Sequence, residues 1–232
     1  MAPPQVLGPD TVPGPGAANL HVQSRACAKE SGQVPSNADR RASGARWPYV
    51  AAAQALAMTG QVDLAKAKLA AHDALKLPTV LLNETDLLRA RAWTAAAAGD
   101  LPAARHHLEV AADLGEEIGD VLGATNALHS LARLGHARQV AGRLGELATR
   151  VDGPLAVARA SYASAVAARD SNLLEKVCQD FEDLGTILYA AEASAEAAVN
   201  RRRAGEARKA VSSCAAGCRP GPRRHNRSSQ DS

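Results

Sequence analysis

Apolar and polar positions recur along this chain with a helical period, interrupted at regular intervals by a short turn. Leu101, Ala104, Leu108 and Ala111 mark one apolar face at i, i+3 and i+4 spacing, and Leu174, Val177, Cys178 and Phe181 mark another. Runs of alternating β-branched residues, the pattern of a strand, do not occur between residues 47 and 213, where alanine dominates. The breaks read Thr59-Gly60-Gln61, Ala98-Gly99-Asp100, Leu134-Gly135-His136, Arg169-Asp170-Ser171 and Ala204-Gly205-Glu206. Their centres, Gly60, Gly99, Gly135, Asp170 and Gly205, stand 39, 36, 35 and 35 residues apart. Self-similarity at that period predicts a helix-turn-helix pair repeated along the chain. The predicted pairs are about 48–59 with 62–76, 84–98 with 101–117, 120–134 with 137–150, 155–168 with 172–184, and 186–203 with a stub over 206–213. Asp100 supplies an N-cap, and Pro48 and Pro102 fall where a first helical turn tolerates proline.

The positions around each break add a packing argument. Seven residues before the turn centres stand Ala53, Ala92, Leu128, Ala163 and Ala198; five residues after stand Ala65, Ala104, Val140, Glu175 and Ala210. Small side chains where the two helices of a pair cross are what a tetratricopeptide (TPR) repeat requires. The fourth repeat looks shifted by one, because Leu174 fits the inward position better than Glu175. The expected fold is therefore all-α: an α-solenoid of about five TPR-like helix-turn-helix pairs with disordered termini.

Composition sets the expected limits of that body. The aromatics Trp47, Tyr49, Trp93, Tyr162, Phe181 and Tyr189 all lie between 47 and 213. Residues 1–46 place five prolines in the first 15 positions and contain no aromatic residue, a composition that cannot bury enough apolar surface to offset its ordering entropy. The expected division is a disordered Pro/Gly-rich tail over 1–46, a TPR-like helical repeat domain over 47–213 and a disordered basic tail over 214–232. The tails carry nine Lys/Arg against four Asp/Glu, so of the net charge of +3 the body contributes −2. A basic pI of 8.8 therefore argues little for nucleic acid. The longest uncharged stretch, Trp47 to Val62, has 16 residues and includes Gln54, Thr59, Gly60 and Gln61, short of the roughly 20 apolar residues of a membrane span. Residues 1–10 lack the basic start and apolar run of a secretory signal, and the four cysteines do not make a disulfide framework; the expected compartment is the cytoplasm.

Candidate chemistry is sparse. Cys214, Cys218 and His225 match no zinc spacing and lack a fourth ligand, and Cys178 on an apolar stripe reads as a core residue. His106 and His107 are adjacent, so a helix points them about 100° apart. The carboxylates Glu116, Glu117, Asp180, Glu182 and Asp183 read as solvated helix faces. Arg201, Arg202 and Arg203 with Arg208 form the best basic contact patch, although a helix C-terminus favours cations there without any ligand. No aromatic residues interleave with the patch, so nucleic-acid contact is expected to be at most non-specific and salt-sensitive. No catalytic, cofactor-binding or metal-binding residues are assigned.

The stretch from Leu184 to Ala210, LGTILYAAEASAEAAVNRRRAGEARKA, resembles the last repeat before the DNA-binding domain of large actinobacterial LuxR-type transcriptional regulators. The segment from Ala92 to Arg105 is similar to earlier repeats of the same proteins. The resemblance implies a non-catalytic region acting in transcriptional regulation, with a protein or peptide partner in the concave groove of the solenoid. It also implies an ATPase domain before the repeats and a helix-turn-helix domain after them. This chain has no G-x-x-x-x-G-K-[ST] stretch, and after Ala210 it departs from the family pattern, so a truncated repeat region is the expectation. The alternative is a free-standing TPR-like adaptor scaffold.

The crossing geometry carries a test. Ala104→Leu is expected to overpack the second pair and lower stability by about 1–3 kcal/mol in thermal or urea melts; a neutral change would mean that the inward positions are wrongly assigned.

Overall fold

A computed structural model describes residues 37–76 and 81–206. These residues are helical throughout apart from turns, with no strand among them. They fall into two compact units, one ending at Asp120 and the other beginning at Val121. The first unit holds α1 (Asn37–Met58), α2 (Val62–Ala74), α3 (Leu81–Ala97) and α4 (Leu101–Ile118). The second holds α5 (Val121–Leu131), a kinked segment (Ala132–His136), α6 (Ala137–Ala148), α7 (Pro154–Ala168), α8 (Ser171–Asp183) and α9 (Ile187–Arg203). Helices adjacent in sequence pack as neighbours, α1 on α2, α3 on α4, α6 on α7 and α8 on α9. The described part of the body expected over 47–213 is divided between these two units.

The helix ends explain the spacing of the pairs. Gly60, Gly99, Gly135 and Gly205 all hold positive φ, between 78° and 95°. After Gly60, Gly99 and Gly205 the next residue then donates its N–H to the carbonyl five residues back: Gln61 to Leu56 at 2.8 Å, Asp100 to Ala95 at 2.9 Å and Glu206 to Arg201 at 2.9 Å. This 6→1 bond satisfies a carbonyl that the helix end would otherwise leave open and turns the chain back on itself.

In the fourth turn the left-handed residue is Arg169 (φ 56°), and Asp170 donates its N–H to Ala165 at 2.9 Å. Asp170, expected at the centre of that turn, is instead the N-cap of α8, with Oδ1 accepting from the N–H groups of Asn172 and Leu173 at 3.0 Å. It does for α8 what Asp100 does for α4, where Oδ1 accepts from the Ala103 N–H at 3.0 Å. Moving the centre to Arg169 resolves the one-residue shift. Leu174, five residues on, is fully buried, Glu175 is exposed, and Tyr162, seven residues before, is buried.

Most of the residues at these positions are buried. Ala53, Ala65, Ala92, Ala104 and Ala163 are fully buried, and Leu128, Val140 and Ala198 are buried too; Ala210 lies outside the described residues. In the first unit Val50, Ala53, Leu69, Leu87 and Ala90 join α1, α2 and α3 in one apolar cluster. Burying each leucine there contributes on the order of 2 kcal/mol, while the alanines contribute by letting backbones approach.

The N-terminal boundary differs from expectation. The first helix begins at Asn37 rather than near Trp47, and Pro48 lies inside it. A proline in a helix interior costs about 3 kcal/mol through a lost hydrogen bond and a clash. Burial of Val50, two residues after Pro48, offsets part of that cost with tertiary packing. Residues 1–36 and 207–232, which include the rest of both expected tails, Arg208, Cys214, Cys218 and His225, lie outside the described residues. Among the described residues no helix is long and apolar enough to cross a membrane.

Arg169 holds a left-handed backbone that costs an L-residue about 1–2 kcal/mol. Arg169→Gly is expected to stabilise the chain by about 1 kcal/mol in urea titration; destabilisation would contradict the assignment of residue 169 as the turn centre.

Candidate functional site

The most chemically loaded place in the described chain is in the second unit, where four helices bring rings and charges together. Asn126, His129 and Arg133 stand at i, i+3 and i+7, one face of α5 continued into the start of the kinked segment. Helix α7 brings Arg159 and Tyr162, α8 brings Phe181, and α9 brings Tyr189 and Glu192. The buried His129 ring meets Tyr189 edge-on at 4.8 Å between centroids and Tyr162 edge-on at 5.4 Å, with Phe181 at 6.1 Å. Tyr189 and Phe181 are 5.4 Å apart. Contacts of this kind add about 0.5–1.5 kcal/mol each beyond area burial.

Two guanidinium groups stand beside the Tyr189 ring, that of Arg133 at 5.1 Å and that of Arg159 at 5.7 Å from its centroid. Arg133 forks onto Glu192, with Nε donating to Oε2 at 2.6 Å and Nη2 to Oε1 at 2.5 Å. The Arg133 side chain is 6% exposed and that of Glu192 31%, so the carboxylate reaches inward from the solvent side. Arg159 donates from Nη1 to Asn126 Oδ1 at 2.5 Å. A planar guanidinium presenting two parallel donors to a carboxylate is the strong form of this pair, and stripping away the carboxylate would leave a buried cation. Burial, and after it the charges of Glu192 and Glu196, push the Tyr162 hydroxyl above its usual range, so it stays protonated.

A second polar network lies in the first unit, along α3. Arg91 Nη2 reaches Asp73 Oδ1 at 2.7 Å, and His72 Nδ1 lies 3.1 Å from the same oxygen. Arg89 bridges Asp86 at 2.8 Å and Gln54 Oε1 at 3.1 Å, tying α3 to α1, while the Thr85 hydroxyl donates to Asp120 Oδ2 at 2.7 Å. Burial raises the Glu84 carboxyl above its ordinary value, against the opposing pull of Arg46, His72 and Arg91. Burial also raises Asp86, helped by the like charge of Asp120 and opposed by Arg89.

The residues singled out in the sequence fall mostly elsewhere. Arg201, taken as part of a contact patch, is buried and engaged: it meets Glu175 at 2.8 and 3.0 Å, Glu206 at 3.0 Å and Asn172 Oδ1 at 3.1 Å. Its fork is spent on α8 and the following turn, so of the patch only Arg202 and Arg203 are exposed among the described residues. Cys178 is buried, and burial with Glu182 and Glu175 nearby pushes its thiol up to about 11, which keeps it a thiol at neutral pH. His106 is exposed and His107 half-buried, their ring centroids 6.1 Å apart. Burial, then Arg91 and His106, lower His107. Glu116 and Glu117 are exposed. Among the described residues no three His, Cys, Asp or Glu side chains gather in a way that could hold a metal ion.

Sequence reasoning passed over His129, Arg133, Arg159 and Glu192. The signal was charge inside an apolar period: Arg159 sits between Ala156 and Tyr162 at i+3 and i+6 on the buried stripe of α7. Comparison with protein-family models, with curated proteins and with solved structures found no match to this chain.

The raised carboxyl of Glu84 has a worked-out consequence. In the folded chain it holds its proton to higher pH than in the unfolded one, so its contribution is fully present below the unfolded value near 4.5 and lost as pH rises through the folded value. Urea titrations between pH 4 and 7 are expected to show Glu84→Gln flattening part of the wild-type loss of stability across that window. An unchanged pH profile would contradict the burial of the charge.

Proposed function

We propose that this chain is a TPR-like helical-repeat scaffold that binds a protein or peptide partner and catalyses nothing itself. The observation that carries the reading is the recurrence of one turn, with a left-handed residue at 60, 99, 135, 169 and 205 and buried small or aliphatic residues at most of the positions around it. A pair of helices of this kind cannot bury its apolar face alone, and a partner segment is taken up on the apolar surface that its neighbours within a unit leave uncovered. The state of the ionisable groups supports the same reading: the Cys178 thiol and the Tyr162 hydroxyl are held protonated, and Arg201 is tied into its own unit. Exposed apolar side chains on the helices, among them Trp47, Leu64, Leu101, Leu122, Val157 and Leu188, supply surface for a partner.

The resemblance of Leu184 to Ala210 to LuxR-type regulators makes the proposed setting cytoplasmic transcriptional regulation, as a repeat region that senses or docks rather than reads DNA. A free-standing adaptor is the second reading. A coding segment for a helix-turn-helix just downstream, in or out of frame, separates the two in favour of the first.

The experiment is affinity capture with the full chain as bait, followed by calorimetry of what is retained. A saturable partner of fixed stoichiometry is the expected result. Capture of no protein, with turnover of a small molecule by the purified chain, would replace the scaffold reading with an enzymatic one.

A further inference from the structure

We propose that Asp152-Gly153 is a covalent modification site, where the folded chain closes a cyclic imide and reopens it as isoaspartate. The inference stands apart from the scaffold reading and concerns the link between α6 and α7. The reaction needs a side-chain carboxyl, a following backbone N–H in reach of it, and a next residue with no side chain in the way. Among the 18 glycines of the chain, Gly153 alone follows an aspartate or an asparagine. Glycine has no Cβ to hinder the approach of its own nitrogen.

The fold leaves this pair open. Asp152 and Gly153 are exposed and non-helical, between the end of α6 at Ala148 and the start of α7 at Pro154. Gly153 is the N-cap of α7, and the N–H groups at a helix start are those the helix itself does not bond. It holds a φ of 107°, and a methyl group placed on its Cα would meet no heavy atom of the described residues within 4 Å. The aspartates at two other helix starts show the contrast. Asp170 Oδ1 accepts from the N–H groups of Asn172 and Leu173 at 3.0 Å, and Asp100 Oδ1 accepts from the Ala103 N–H at 3.0 Å. Those carboxylates are held as caps, and the residues after them, Ser171 and Leu101, carry side chains. Helix α7 has no side-chain cap, so Asp152 is not held in that way.

The chemistry balances with water alone. The Gly153 nitrogen attacks Asp152 Cγ; an N–Cγ bond forms, the Cγ–OH bond breaks, and the amide proton leaves with that hydroxyl as water. Solvent water then opens the imide. Addition at Cγ breaks the new bond and restores aspartate. Addition at the Asp152 main-chain carbonyl carbon breaks the original peptide bond, and the chain then runs through Cγ, with one more methylene in the backbone. Nothing is oxidised or reduced. Helices α6 and α7 pack on each other across this link, so the added length falls where the chain turns back.

The test is incubation of the full chain at neutral pH, followed by trypsin, which releases Val151 to Arg159 by cutting after Arg150 and Arg159. Chromatography with electron-transfer fragmentation separates the aspartyl and isoaspartyl forms, which are equal in mass. A synthetic peptide of the same sequence serves as the unfolded reference. The folded chain is expected to accumulate isoaspartate at 152 at a rate within about threefold of the peptide's, since an exposed link needs little local opening. G153A is expected to slow it at least about fivefold, in chain and peptide alike, by adding the missing Cβ. D152N, which closes the same imide by releasing ammonia, is expected to speed it. If G153A does not fold, D152E, which would need a larger ring, takes its place and is expected to form no isoaspartate. Isoaspartate in the peptide with none in the folded chain overturns the proposal. So does a G153A chain that reacts at the wild-type rate, or isoaspartate that arises equally at Asp100 and Asp170.

Discussion

Each helix pair in this chain depends on one residue that can hold a left-handed backbone at the end of its first helix. With Gly60, Gly99, Gly135, Arg169 and Gly205 in that conformation, the next N–H can reach the carbonyl five residues back wherever that bond is formed, and the second helix is launched against the first. Without it the exposed carbonyls of the helix end would have only water, and the Ala-rich run would have no reason to stop. The same device recurs between pairs, where Gly119 and Gly185 carry positive φ and the Thr186 N–H bonds to Phe181 at 2.9 Å.

Once the turns fix where helices begin and end, the alanines determine how closely they lie. Ala53, Ala92 and Ala104 are fully buried, and a side chain of one methyl leaves space for backbones rather than side chains. A core so poor in bulk needs specific filling somewhere, and in the second unit that filling is Tyr162, Phe181, Tyr189 and His129. The arginines that enter the same region do so with partners, Arg133 with Glu192 and Arg159 with Asn126, because an isolated cation there would be strongly destabilising. Packing and electrostatics in this unit are thus one problem, solved by the same side chains.

Much of this organisation was legible in the residues. Helical period, the recurring turn and the small residues around it place nearly every helix within a few positions, since these depend on local backbone preference and on spacing. Legibility failed where tertiary context outweighs local preference. Pro48 reads as a start and lies inside a helix, because burial around it offsets the break. Arg169-Asp170 contains no glycine, so the N-cap aspartate was mistaken for the turn centre and the left-handed arginine passed over. The cluster around Tyr189 was hidden for a different reason: its members come from 126 to 192, and only the fold brings them to one place. Arg201 misled in the opposite sense, since three consecutive arginines read as surface while the first of them turns inward to Glu175.

In the second unit the Arg133–Glu192 fork closes the buried cluster around Tyr189. The claim beneath all of it is that one turn, in one register, repeats along the chain. Solution NMR tests that most directly, through backbone couplings and chemical shifts at residues 60, 99, 135, 169, 170 and 205. Positive φ at Gly60, Gly99, Gly135, Arg169 and Gly205, with Asp170 in an extended N-cap conformation, is the expected result. Helical values running unbroken through 135 or 169, or positive φ at Asp170, would contradict it.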